Sequence, residues 1–174
     1  MLNIEIKANE GLPAEEILTT LESRARYQWL IDHTPIADRC TFPGGQISFT
    51  LYKAARYCYV YGYYLASVIL GLSYVEKTLD GWLAGHEPVG SEKHGLAVLI
   101  RRALAERLID EQTAACLNEL LKKRNAIPPF YIREKNGFAN MMDNGTEDKR
   151  YGIGAEEALQ IMEMMMALVT GRKG

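Results

Sequence analysis

Apolar residues recur at helical spacing along most of the chain, whereas segments that alternate apolar and polar residues are essentially absent. Capping residues, prolines and glycines bound these helical patterns. We therefore predict an all-α bundle of about five helices with one long central helix. The predicted helices cover residues 13–32, 49–84, 91–108, 111–126 and 155–170, with a connecting loop over 34–48 and a long loop or short hairpin over 132–152.

The longest predicted helix, residues 49–84, is apolar on two sides and is therefore expected to be enclosed by its neighbours. Residues 57–75 carry no charge over 19 positions, close to the roughly 20 apolar residues that a membrane span needs. Six of these 19 residues are tyrosines, which gather at membrane interfaces rather than in the middle of a bilayer. A buried central helix is favoured, and no membrane contact is expected.

The composition is that of an ordinary globular protein, with 174 residues, 48% hydrophobic and 24% charged. We expect a single domain, in which residues 1–48 supply an N-terminal helix and loop and residues 49–170 the core bundle. The net charge of −2 argues against a surface built as a whole to hold nucleic acid.

The cysteines and histidines give no sign of a metal or cofactor site. Cys40, Cys58 and Cys116 are far apart and form no C-x-x-C motif, which favours reduced, buried thiols in a cytoplasmic protein. The three histidines show no metal-ligand spacing. Glycine-rich phosphate motifs and a nucleophile elbow are absent from the sequence, and no secretory signal is recognised at residues 1–16.

Arg124 and Glu76 are charged residues placed in line with apolar stripes. Arg124 lies in the last turn of its helix, where a cation also complements the helix dipole. Glu76 interrupts the stripe of the long helix, and a buried carboxylate needs a partner, for which Arg124 is a candidate. For each residue, spacing alone favours a structural role over a functional one. The residues that share the helical face of Arg124 are Ala114, Leu117 and Leu121.

Two further groups have alternative explanations. The most basic region is either an RNA-binding face or an ordinary solvated surface; it consists of Lys122, Lys123 and Arg124 with Arg101, Arg102 and Arg107 of the preceding helix. The four methionines of residues 162–166 indicate either an adaptable binding surface or, more often, a core or helix–helix contact.

The order of these helical segments resembles the HEPN superfamily over roughly residues 50–170. The segments that carry the resemblance are LASVILGLSYVEKTL, LNELLKKRNAIPPFY and the closing helix AEEALQIMEMMMALV. HEPN proteins are α-helical bundles, usually dimers, and many are metal-independent ribonucleases of toxin–antitoxin and other defence systems. Their motif is an Arg, often followed by Asn, then four to six residues and a His, frequently with a Tyr two residues beyond.

The resemblance implies a degenerate form of that site. Arg124 and Asn125 match the start of the motif, Tyr131 matches its Tyr, and Glu76 matches the polar residue of the long helix, but Pro129 occupies the position of the His. Metal-free RNA cleavage needs a group that transfers protons near neutral pH, which histidine does and tyrosine does poorly. The loss of that group predicts little or no cleavage.

Two functions follow as hypotheses. The first is a non-catalytic HEPN-like module that binds RNA, a nucleotide or a partner protein through Arg124, Asn125, Tyr131 and the basic region, and the second is an active metal-independent endoribonuclease. The resemblance further implies a homodimer, with the Arg124 helices near the two-fold axis, and a nucleotidyltransferase or antitoxin partner. A helical protein unrelated to HEPN, with Arg124 as a plain helix-end cation, is the third reading.

Overall fold

Six α-helices and one two-stranded antiparallel ribbon make up the part of the chain that the computed structural model describes, namely residues 2–4, 12, 18, 20–34, 40–84, 95–127 and 152–169. The prediction of an all-α bundle is confirmed. The helices are α1 (Leu21–His33), α2 (Gly45–Val60), α3 (Tyr64–Leu83), α4 (Leu96–Ala105), α5 (Glu111–Asn125) and α6 (Ala155–Val169), and the strands are β1 (Leu2–Ile4) and β2 (Cys40–Phe42).

The predicted connecting loop over residues 34–48 is wrong in part. Its middle forms β2, which pairs with β1 so that Leu2 faces Phe42 and Ile4 faces Cys40. Its end forms the first turn of α2, which begins at Gly45, so the predicted boundary between residues 48 and 49 falls inside a helix. A three-residue strand is too short to show an alternating pattern, which is why the sequence gives no sign of it.

The single long helix predicted over residues 49–84 is also wrong, because the chain reverses between α2 and α3. Gly62 has a φ of +79°, a left-handed conformation that glycine adopts without the steric cost of a Cβ. Around it, Tyr63 N–H donates to Cys58 O at 2.9 Å and Gly62 N–H donates to Tyr59 O at 3.0 Å. These two bonds form the glycine C-cap known as a Schellman motif, which ends α2.

Helix α1 holds this reversal in place. The Arg26 guanidinium donates from Nε to Val60 O at 3.0 Å and from Nη1 to Tyr64 Oη at 3.1 Å, so it bridges the end of α2 and the start of α3. The helix itself begins at Leu21 rather than at the predicted residue 13. Thr20 is its N-cap, because its side chain accepts from Ser23 N–H at 3.0 Å.

Helix α3 is the central helix of the bundle and packs against α2, α4, α5 and α6. At Gly71 it lies so close to α6 that an added Cβ would clash with the Ile161 side chain. Of the four methionines, Met162, Met165 and Met166 are buried in this core, as the core interpretation predicts.

The second helical hairpin, α4 and α5, is set by its connecting turn. Asp110 caps α5 as predicted, with its side chain accepting from Thr113 N–H at 2.7 Å. Helix α4 ends at Ala105, earlier than expected, because Arg107 takes a left-handed φ of 55°. Ser91, the predicted cap of α4, lies outside the described residues. None of the described helices has the length and apolarity of a membrane span.

Candidate anion-binding site

Helix α5 presents Arg124 at its C-terminal end, as the sequence predicts. The apolar residues that share its face are buried, while Arg124 itself is half-buried and Asn125 is exposed. The helix closes with Ala126 N–H donating to Lys122 O at 3.0 Å. The buried face therefore anchors α5 in the core and leaves the side chains of its last turn at the surface.

Arg124 and Asn125 contact each other directly. The guanidinium donates from Nε and from Nη2 to Asn125 Oδ1, at 3.3 and 3.2 Å. A guanidinium has five N–H groups, so three remain to donate, and the Asn125 amide adds the two hydrogens of its nitrogen. The pair thus forms a compact group of hydrogen-bond donors with one positive charge, which suits a phosphate or carboxylate.

The two lysines beside Arg124 are already paired with carboxylates. Lys122 contacts Glu119 on the same helix, and Lys123 contacts Glu157 at the start of α6. Within the described part of the chain, no carboxylate lies within ion-pair distance of Arg124. Among the described residues, Arg124 is therefore the basic residue of this turn that has no carboxylate partner.

Glu157 links the end of α5 to the start of α6. Its side chain is 12% exposed, and Oε2 accepts from Gly154 N–H at 2.8 Å while Oε1 accepts from Lys123. Burial alone would raise the pKa of the Glu157 carboxyl, but the hydrogen bonds from Lys123 and Gly154 and the charge of Lys123 outweigh it and hold the pKa below its usual range. Glu157 is thus an ionised residue that fixes the position of Lys123.

Glu76 does not join Arg124. On its stripe Leu72 and Leu79 are fully buried, but Glu76 is half-buried at the edge of α3. No hydrogen bond or ion pair of Glu76 is found among the described residues, so the expected pair with Arg124 is not formed. A partly exposed carboxylate keeps its water and needs no buried cation, which is the physical reason.

The remaining predicted residues are not gathered around Arg124. Arg101 and Arg102 lie near the C-terminal end of α4, and the short turn that follows makes α4 and α5 antiparallel neighbours. They therefore lie beside the beginning of α5, whereas Arg124 lies at its other end, about 15 Å further along the helix. Tyr131 and Pro129 lie outside the described residues.

The one histidine of the described residues has a structural role. His33 stacks on Trp29 with ring centroids 4.4 Å apart, and its Nδ1 lies 2.8 Å from Trp29 O. His86 and His94 are outside the described part. Across the described ranges no group of three or more His, Cys, Asp or Glu side chains is placed to hold a metal ion.

The thiols of Cys58 and Cys116 are free and half-buried, and the side chain of Cys40 is not described. Burial raises the pKa of both thiols above the usual range. They are therefore protonated at neutral pH and weak nucleophiles.

A cavity of about 280 Å³ lies at the opposite end of α5 from Arg124. It is lined by Asp110 and Thr113 at the start of α5, by Leu108, and by Glu163 and Met164 of α6. Its volume falls just below the usual range for small-molecule pockets. Because α5 is about 22 Å long, this cavity is not part of the Arg124 site.

Sequence reasoning missed two buried charged residues. Arg56 is fully buried, with Nη2 donating to Thr34 Oγ1 at 3.0 Å and its guanidinium carbon 5.1 Å from the centre of the Tyr52 ring. Glu157 is the second missed residue, although a Glu in the first turn after Gly154 is a recognisable signal of a helix N-terminus. Arg56 could have been found as a cation on the α2 face that also carries Tyr52.

Comparison with known proteins leaves the family open. No family model matches the chain, and no curated protein or solved structure is similar enough to count as a match. The resemblance to HEPN proteins therefore rests on the sequence pattern.

Proposed function

We propose that this chain is a HEPN-like helical module that binds a phosphate-bearing ligand, RNA or a nucleotide, through Arg124 and Asn125, with little or no catalysis of its own. The observation that supports the proposal is the set of contacts that the Arg124 guanidinium makes. Among the described residues it donates to Asn125 and has no carboxylate partner, while both neighbouring lysines are paired. A helix-end arginine of structural role can bond the last carbonyls of its own helix, whereas the hydrogen bonds of Arg124 found among the described residues go to Asn125.

The same chemistry favours binding over cleavage. Arg124 would stabilise the charge of a phosphate in the ground state and in a transition state alike, but cleavage also needs proton transfer. Of the described residues, no histidine lies on α5, and His33 is held by Trp29 on α1. Tyr131, which matches the motif, is too weak a base at neutral pH.

The resemblance supports a setting for this module. We propose a defence or toxin–antitoxin type system, with a nucleotidyltransferase or an antitoxin as the partner protein. A homodimer is part of the same proposal. The exposed residues of α5 are mostly polar or charged, however, so this helix offers little apolar area for a two-fold contact. They are Glu111, Gln112, Ala115, Asn118, Glu119, Lys122 and Asn125.

The direct test is binding of a fluorescent single-stranded RNA, and separately of ATP, to the full chain and to Arg124→Ala and Arg124→Glu. Charge-assisted hydrogen bonds are worth about 1.5–3 kcal/mol each, so Arg124→Ala is expected to weaken binding about 10- to 100-fold. The matched control is Arg107→Asn, which removes an exposed guanidinium from the other end of α5 and puts a residue that tolerates the left-handed conformation in its place.

Three outcomes decide between the readings. Binding lost with Arg124→Glu and kept with Arg107→Asn supports the proposal, whereas equal binding by both variants and the wild type refutes it. RNA cleavage without metal, abolished in Arg124→Ala, would assign the active ribonuclease instead. Cleavage that arises only in Pro129→His would mark a site that has lost its proton-transfer group.

A further inference from the structure

The two helices of the first hairpin, α2 and α3, pack antiparallel with a defined set of facing residues. The sum of the two residue numbers stays nearly constant along the pair, as it must for antiparallel helices. The facing pairs are Ser48 with Thr78 (Oγ to Oγ1, 3.1 Å), Tyr52 with Tyr74 (ring centroids 5.5 Å) and Ala55 with Ser67 (O to Oγ, 3.1 Å).

The residue that precedes each facing residue lies about 100° further round its own helix. Two antiparallel helices are related by a two-fold axis perpendicular to the plane they share. The same rotation about each helix therefore brings both sets of preceding residues to the same side of the hairpin. This side, the hairpin face, consists of Ile47, Leu51, Ala54 and Cys58 of α2 with Ala66, Leu70, Ser73 and Lys77 of α3.

The hairpin face is accessible to solvent and, apart from Lys77 at one end, uncharged. Ile47 is 62% exposed and the other seven residues are half-buried. The two charged residues of α2 are not on it, since Arg56 is fully buried and the Lys53 ammonium lies over the ring of Phe49, 5.0 Å from its centre. Lys77, which continues the α3 row, marks one end of the face. A helix normally turns its polar side to water, so α2 is unusual in being apolar on both sides.

Tyrosines extend the hairpin face at the end where the chain reverses. Tyr61 packs at a tilt against Tyr57, with ring centroids 4.8 Å apart, and stacks on Tyr63 at 6.3 Å. Tyr57 and Tyr63 are 44% and 62% exposed. Tyrosines are enriched in the cores of protein interfaces, where the ring buries apolar area at little entropic cost.

The area of the hairpin face is large enough for a dimer. Sixteen residues of α2 span about 24 Å, and two helices side by side are about 20 Å wide, so the face projects about 480 Å². Two copies would bury about 1,000 Å² in total, which is the size a specific interface needs. An apolar patch of about this size is among the largest that a typical monomer exposes, and such patches often have a function.

We propose that the hairpin face binds the hairpin face of a second copy of this chain, with the two hairpins forming a four-helix contact. Apart from Lys77 at one end, the face carries no charge that would repel its own copy, and the net charge of −2 adds little over longer distances. Small residues such as Ala54 and Ala66 alternate with Leu51 and Leu70, so in a two-fold contact the large residues of one copy fit over the small residues of the other.

A lipid surface fits this face less well, because helices that lie on membranes carry Lys and Arg along their polar flank. The proposal is independent of the phosphate-binding site, which lies on α5. It also places the dimer contact on α2 and α3, whereas the resemblance to HEPN proteins implies a contact between the Arg124 helices.

The experiment is sedimentation velocity on the full chain over a concentration series up to the order of 100 µM, a range that captures micromolar dimers. The variants are Ala54→Glu and Ile47→Glu on the hairpin face, and Ala115→Glu on the exposed side of α5 is the matched control. Each copy brings its new carboxylate into a two-fold contact, so two carboxylates are buried per dimer. We therefore expect dimerisation about 100-fold weaker for the first two variants. Ile47 is exposed in the single chain, so Ile47→Glu should fold even if Ala54→Glu does not. Circular dichroism of each variant checks that it is folded.

A wild type at twice the chain mass of 19.6 kDa, with Ala54→Glu and Ile47→Glu monomeric and Ala115→Glu dimeric, supports the proposal. A monomeric wild type overturns it. A dimer that survives both face substitutions also overturns it, and its loss in Ala115→Glu alone would place the contact on α5. Arg124→Ala should leave the dimer intact, which separates this test from that of the phosphate site.

Discussion

The packing of α3 on α6 can be tested at Gly71, which is buried at the crossing of the two helices. In Gly71→Ala the new Cβ would overlap Ile161 Cγ1 and lie 3.3 Å from Ile161 Cγ2 and 3.0 Å from Met165 Sδ. Carbon atoms attract each other best at about 3.5–4.0 Å. Ile161 and Met165 are fully buried, so neither side chain has open space into which it can withdraw.

The expected cost is the difference of two effects. Replacing glycine by alanine inside a helix is favourable by about 1 kcal/mol. Overpacking a well-filled core costs about 1–3 kcal/mol, and the overlap at Ile161 falls at the upper end because a β-branched side chain is stiff. We therefore expect Gly71→Ala to lower the free energy of unfolding by about 2 kcal/mol, or the melting temperature by about 4–8 °C for a chain of this size.

A double-mutant cycle with Ile161→Ala isolates the contact. Ile161→Ala alone removes the overlapping atoms and leaves a cavity, which costs about 2–5 kcal/mol. In that background the overlap with Ile161 is gone and the flexible Met165 side chain can shift into the cavity, so the helix-propensity gain of about 1 kcal/mol remains. The coupling energy between the two sites should then be about 3 kcal/mol, at the top of the range for residues in contact.

The measurement is urea unfolding of the four proteins, followed by circular dichroism and by tryptophan fluorescence. Coincident transitions from the two probes establish that a single free energy describes each protein. A Gly71→Ala protein more stable than the wild type, or a coupling energy below about 0.5 kcal/mol, the usual additivity error, would refute the close approach of α3 and α6.

Two further substitutions test the links between helices. Glu157→Gln should lower the free energy of unfolding by about 1 kcal/mol at pH 7. Because the pKa of Glu157 is depressed in the folded state, this difference should persist above the unfolded pKa of about 4.3 and vanish as the pH falls through the folded pKa. A difference that grows in acid would contradict the pairing with Lys123. Gly62→Ala should cost about 1–2 kcal/mol for its left-handed φ, and Gly62→Asn less, because Asn tolerates that conformation; equal losses in urea unfolding would show that backbone strain is not the cause.

The helices with strong local signals are predicted well from the sequence. Asp110 at the start of α5 and the apolar stripe behind it are sufficient to place that helix, because capping and periodicity act within a few residues. The last helix, α6, is likewise found within one residue of its observed end.

The reversal of the chain at Gly62 was missed because the hydrophobic periodicity does not change there. The apolar residues on either side, in α2 and in α3, continue the same spacing, and glycine inside a helical pattern is tolerated. What breaks the helix is the left-handed turn together with the bonds from Arg26, a residue distant in sequence. The strands β1 and β2 depend on the pairing of Leu2 with Phe42 and of Ile4 with Cys40, residues that are on average about 38 positions apart in the sequence. No local sequence pattern indicates such a pairing.

The candidate site was predicted only in part. Arg124 was found because a cation in line with apolar residues is an unusual pattern, and the structure places it at the surface end of that stripe. The pairing of Lys123 with Glu157 leaves Arg124 as the cation of this turn without a carboxylate partner among the described residues, and this pairing depends on how α6 packs beside α5. Glu76 was assigned to the interior from spacing alone, which does not resolve the edge of a stripe from its centre.

The contact between Lys123 and Glu157 also bears on how this chain could change through evolution. It brings together the end of α5 and the start of α6, two points that are 34 residues apart in the sequence. Once the ends of a connection are fixed, doubling its length costs only about 0.6 kcal/mol. Relatives whose connection between α5 and α6 differs in length could therefore keep this contact, and with it the relative position of the two helix ends.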